Sequence, residues 1–94
     1  MTFFYYAPTN FDKSKWVQNV EERYKMSENL IDSKMLEGKT KMEVVELLGE
    51  DFLGGNQRMA YYLGNPPKPI STKIELLEIN MKNGRVKKVF KITE

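Results

Sequence analysis

The chain has 94 residues, with 40% apolar and 30% charged side chains, a composition that suits one folded domain and leaves no room for a second. It contains neither cysteine nor histidine, which excludes disulfides, thiolate nucleophiles, cysteine-based zinc sites and histidine acid–base chemistry. The net charge of +2 is unevenly spread: residues 1–49 carry 7 basic and 8 acidic side chains, residues 50–94 carry 8 and 5, and the C-terminal half is the cationic half.

Residues 1–18 mix six aromatics, Phe3, Phe4, Tyr5, Tyr6, Phe11 and Trp16, with turn formers and show no clean period. They read as an aromatic arm lying along the domain or against a partner, because that much apolar surface needs burial. The domain proper is expected over residues 19–94. Asn19 followed by Glu22 predicts a capping box that opens a first helix, with Arg23, Met26 and Leu30 along one face and an end near Ser33. Lys34 to Lys39 is a short connection with Leu36 as a plug and Gly38 as the turn. Thr40 and Glu43 form a second capping box; Val44, Leu47 and Leu48 follow it on the core side, and Gly49 stops the helix.

Beyond Gly49 the period changes to two. Gln57 to Leu63 reads as a strand with Met59, Tyr61 and Leu63 on one side, and Gly54, Gly55 and Asn56 before it read as a flexible loop. Gly64 to Pro69 forms a loop that its prolines keep out of helix and central strand. Lys73 to Lys82 and Arg85 to Thr93 are strands joined by Asn83-Gly84, the dipeptide preferred in a type I′ turn.

A regular two-residue hairpin sets Met81 against Val86, Ile79 against Lys88 and Leu77 against Phe90. One face then carries Leu77, Ile79, Met81, Val86, Phe90 and Ile92. The other carries Ile74, Leu76, Glu78, Asn80, Lys82, Arg85, Lys87, Val89 and Lys91, and this mixed cationic and apolar face is the candidate binding surface. The expected partner-contacting residues are Ile74, Leu76, Lys82, Arg85, Lys87, Val89 and Lys91, with Trp16 from the arm. A protein partner fits best. An anionic lipid surface is a second option, and nucleic acid a poor one, since no aromatic for base stacking falls on that face. The predicted fold class is α+β: a two-layer sandwich with a helical hairpin on one face of a three-stranded antiparallel sheet (ααβββ).

The string Trp16, Arg23-x-x-Met26-x-x-x-Leu30-Ile31, Leu36-x-Gly38-Lys39-Thr40-x-x-Glu43-Val44-x-x-Leu47-Leu48-Gly49, followed by Tyr61-Tyr62-Leu63-Gly64 and Leu77-x-Ile79-x-Met81-Lys82-Asn83-Gly84-Arg85-Val86, resembles the SmpA/OmlA domain of BamE-like lipoproteins. It resembles more distantly the repeat of β-lactamase inhibitory proteins. The resemblance implies a non-enzymatic interaction module of the bacterial cell envelope, on the periplasmic side and lipid-anchored in a full-length form, without cofactor or metal; a cytoplasmic relative is the alternative location. Two other readings stand beside it. One is an inhibitor-like protein that binds an enzyme cleft through Gly54 to Arg58 or Asn65 to Lys68, and the other is an enzyme working through Tyr61, Tyr62 or a glutamate.

Overall fold

A computed structural model describes residues 7–64 and 74–93. Its elements are α1 (Lys13–Gln18), a 3-10 turn (Val20–Glu22), α2 (Tyr24–Asp32), α3 (Lys41–Leu48), β1 (Leu53–Gly54), β2 (Arg58–Tyr62), β3 (Glu75–Lys82) and β4 (Arg85–Thr93). The fold is α+β, with three helices and an antiparallel sheet in the order β1-β2-β3-β4. That is one strand more than the sequence pattern predicts, because β1 is two residues long and too short to display a period. Gly54, Gly55 and Asn56, expected as a loop, belong to the tight β1–β2 connection, closed by the Gly55 N–H on the Arg58 carbonyl at 2.8 Å.

The described part of the predicted arm is built into the domain. Asp12 caps α1 through the Lys15 N–H, the Thr9 N–H donates to the Lys25 carbonyl at 2.8 Å, and the Phe11 N–H donates to Asn29 Oδ1 at 2.8 Å. Residues 1–6 lie outside the described residues, as does the Asn65 to Lys68 loop. Trp16 is fully buried among α3 and β2, its indole N–H on the Leu48 carbonyl at 2.9 Å and its ring edge-on to Tyr61. Among the described residues, those from 7 to 18 pack with the elements that follow.

The capping box expected at Asn19 is absent: its side chain makes no capping bond, and its backbone N–H closes α1 on the Lys15 carbonyl instead. Asn19 ends α1 and leads into the 3-10 turn, where its carbonyl accepts from the Glu22 N–H at 3.0 Å, without a side-chain cap. At the start of α2, the Tyr24 N–H is satisfied by the carbonyl of Leu63 at 2.7 Å, at the far end of β2. The second capping box is formed as predicted, with the Glu43 N–H on Thr40 Oγ1 and the Thr40 N–H on the Glu43 carboxylate. Gly49 follows α3 with φ 98°.

Asn83 and Gly84 both have positive φ, as a type I′ turn requires, and Lys82 pairs with Arg85 and Met81 with Val86 as expected. The register then slips by one. Asn80 pairs with Lys88 and Ile79 with Val89, which leaves Lys87 as the extra residue of a β-bulge. Every later side chain of β4 changes face. Val89 is buried opposite Ile79 and Lys91, half-buried, is opposite Leu77, while Phe90 and Ile92 move to the other side with Glu78 and Leu76. The two-faced assignment from a regular hairpin is thus corrected for Val89, Phe90, Lys91 and Ile92. The physical reason is simple: two consecutive lysines cannot both be placed by strict alternation without burying one, and the bulge leaves both exposed while keeping Val86 and Val89 buried.

Met59, Tyr61, Leu77, Ile79, Met81, Val86 and Val89 make the core face of the sheet and cluster with Leu30, Leu36, Val44 and Leu48. Residues 38–40 run along the start of β4: the Gly38 N–H donates to the Val86 carbonyl at 2.9 Å, and the Val86 N–H to the Lys39 carbonyl at 2.8 Å. This covers part of an otherwise open strand edge.

Candidate functional site

The reverse face of the sheet is ordered by register into four rows across the strands. The first is Tyr62, Leu76 and Ile92; the second is Leu53, Ala60, Glu78 and Phe90. The third is Arg58, Asn80 and Lys88, and the fourth is Lys82 with Arg85. Consecutive rows are two residues apart on each strand, about 7 Å, so the four span about 20 Å. The face grades from apolar at one end to cationic at the other.

At the apolar end Leu53 is 64% exposed, and Ile74, immediately before β3, is 41% exposed. Leu53, Gly54, Arg58, Ala60 and Leu76 line a shallow depression of about 160 Å³. The one carboxylate on the paired rows, Glu78, is held by Arg58 through Nη2 and Nε, both at 2.6 Å. Lys88 Nζ lies 5.3 Å from the Phe90 ring centroid, which joins the second and third rows. At the cationic end Arg85 donates to the Gly38 carbonyl at 2.8 Å, and Lys82, Lys87 and Lys88 are exposed.

The eight residues singled out from sequence do not form one surface. Ile74, Lys82, Arg85 and Lys87 are exposed, and Leu76 is on the reverse face but buried. Val89 is in the core, and Trp16 is at its centre. Lys91 reaches Glu28 at 3.4 Å and Glu75 at 3.8 Å, tying β4 to α2. Leu53, Phe90, Ile92 and Lys88 take their places on the face. The lysine pair at 87–88 flanked by Val86 and Val89 was the available signal for the last three, since an apolar-polar-polar-apolar string in a half-buried strand is how a bulge reads. Phe90 also removes the premise that this face lacks an aromatic.

A second cluster escaped sequence reading. Arg23 is only 2% exposed, yet its Nε donates to the Trp16 carbonyl at 2.9 Å, its Nη1 to the Tyr62 carbonyl at 3.4 Å, and the same nitrogen pairs with Asp51 at 3.0 Å. Its guanidinium stacks 4.7 Å from the Trp16 ring. Beside it the Tyr61 hydroxyl donates to the Gly49 carbonyl at 2.7 Å; burial first, then the Asp51 charge, raise its pKa well above the ordinary phenol value, against the opposing pull of Arg23. Tyr62 donates to Glu21 at 3.1 Å. Both tyrosine hydroxyls are engaged in holding the fold. Of the nearby carboxylates, Glu43 serves the helix cap and Asp51 serves Arg23.

A depression of about 200 Å³ between Thr9, Lys15, Asn19, Glu22, Lys25 and Met26 is the other concavity of note, but its Glu22 and Lys25 satisfy each other at 2.7 Å. Among the described residues no group of three or more carboxylates is arranged to hold a metal ion, and no helix is long and apolar enough to cross a membrane. No family model, no curated protein and no solved structure matches this chain.

Proposed function

We propose that the chain is a small non-enzymatic protein-interaction module, a two-layer arrangement in which the helices occupy the core face of the sheet and the reverse face is presented to a protein partner. One observation carries the reading: Leu53 and Ile74, large aliphatic side chains, are exposed beside an apolar end of that face. Aliphatic groups suit the apolar centre of a protein contact and offer no π surface to a nucleic-acid base. The engagement of Tyr61 with Gly49 and of Tyr62 with Glu21 supports a scaffolding role for the two hydroxyls nearest to catalytic use. An envelope setting is proposed on the SmpA/OmlA-like strings of the sequence alone.

Photo-crosslinking tests the reading directly. A benzophenone side chain at position 53 is expected to trap a protein adduct in cells, whereas the same group at Glu46, exposed on α3, is not. Equal labelling from both positions, or a nuclease-sensitive adduct at 53, rules the reading out.

A further inference from the structure

The graded face specifies more than a generic partner. Resting on the interaction reading above, we infer that it takes an extended protein segment that is apolar at one end and acidic at the other, meeting the exposed positions at the two ends of the face, Leu53 and Ile74 at one and Lys82, Lys87 and Lys88 at the other, while Ala60, Leu76 and Glu78 between them are buried. Charge complementarity supports this. Arg58, Lys88, Lys82 and Arg85 fall on the two rows nearest the turn with the exposed Lys87 beside them, and Glu78, bound by Arg58, is the only carboxylate on the four rows. Lys82 sits directly opposite Arg85, a like-charge cross-strand pair that weakens a hairpin in isolation. Lys82 and Lys87 have no acidic partner among the described residues. The bulge adds a second lysine to the same end where a regular strand exposes one.

Such crowding of like charge is relieved by carboxylates arriving with the partner, which also steer its orientation and leave wrong registers facing unpaired cations. The apolar rows fix the other half of the chemistry. Leu53, Ile74 and Ile92 call for aliphatic or aromatic side chains spaced about two rows from the acidic ones, a pattern that a strand of about six to eight residues supplies. Single-stranded nucleic acid needs stacking platforms among its cations. Here Phe90, under Lys88, is the one aromatic beside a cationic row, while Tyr62 is in the far apolar row with its hydroxyl on Glu21, too few platforms for successive bases.

The test selects random peptides of about twelve residues on the full chain by display, then measures the enriched ones by fluorescence anisotropy. Three proteins are compared: the parent, a Lys87→Glu/Lys88→Glu double variant, and Leu53→Ser. Enriched peptides are expected to carry acidic residues on one side of an apolar pair, to bind the parent with an affinity that falls with salt, and to lose at least about tenfold on each variant. Loss on Leu53→Ser with unchanged binding to the charge-reversed protein overturns the acidic-segment inference and leaves the interaction face standing. Indifference to both variants, or no enrichment, overturns both. Tighter binding of phosphatidylglycerol vesicles or of a single-stranded oligonucleotide than of any enriched peptide also overturns it. Should the double reversal disturb folding, Lys87→Gln/Lys88→Gln replaces it, with the same outcomes read at smaller amplitude.

Discussion

Two glycines with similar backbone angles do different work. Gly84 has φ 77° and open space where a Cβ would sit, so Gly84→Ala meets only the intrinsic cost of a left-handed alanine, about 1 kcal/mol. Gly64, at φ 89°, is pressed against the backbone of Glu21, and a Cβ there overlaps the Glu21 carbonyl. Because Glu21 is in the 3-10 turn that leads into α2, relief requires moving two elements, and Gly64→Ala is expected to cost about 3 kcal/mol or more in urea unfolding. Comparable losses for the two variants contradict the close approach. At the second capping box, Thr40→Ala is expected to cost about 1 kcal/mol. Glu43, accepting first from the Thr40 N–H and then from its hydroxyl, has its carboxyl pKa lowered from 4.5. A lowered pKa in the folded state means that this contribution is present above the unfolded value and is lost as pH falls through the folded one. Glu43→Gln should therefore flatten the acid limb of the stability profile, read as a smaller change in urea midpoint between about pH 6 and about pH 3 than in the parent. An unchanged slope denies the box its charge.

Between elements, the bulge in β4 decides what each face offers. Since Lys87 is the unpaired residue, removing it leaves Val86 opposite Met81 and Val89 opposite Ile79, and no core side chain changes place. Deletion of Lys87 is expected to lower stability by no more than about 1 kcal/mol, whereas deletion of Val89 removes a buried side chain and turns the rest of the strand, at about 3 kcal/mol or more by denaturant midpoint. The reverse order argues against the register. Here too lies the boundary of what the sequence tells. The Thr40 box, the Gly49 stop and the Asn83-Gly84 turn were legible because each depends on residues within four positions of one another. The bulge was legible only in part: Val86-Lys87-Lys88-Val89 breaks alternation, but a regular hairpin explained Val86 and Lys87 equally well, and the choice is made by burial of Val89 against Ile79 across the strand pair.

At the scale of the whole molecule, Arg23 and Trp16 join the chain's two ends of information. The spacing of Arg23 to Met26 and Leu30 places it on their helix face, but nothing local names its partners, which are carbonyls of α1 and β2 and the carboxylate of Asp51. Residues 1–18 have no period and give no local sign of burial, yet the Trp16 ring, which meets Leu48, Tyr61 and Phe11, makes α1 an integral wall of the core. Non-local packing of this kind leaves no local pattern. The core cluster includes Met59, Tyr61, Leu77 and Ile79 on one face of the sheet, and the register places the graded rows, from Leu53 and Ile92 to Lys82 and Arg85, on the opposite face. The gradient on that face depends on which β4 residues stand on which side. Methyl-labelled NMR decides this most directly. Through-space contacts are expected from Val89 to Ile79 and from Ile92 to Leu76, whereas contacts from Val89 to Leu76 and from Ile92 to Leu77 would restore the regular hairpin and overturn the bulged register.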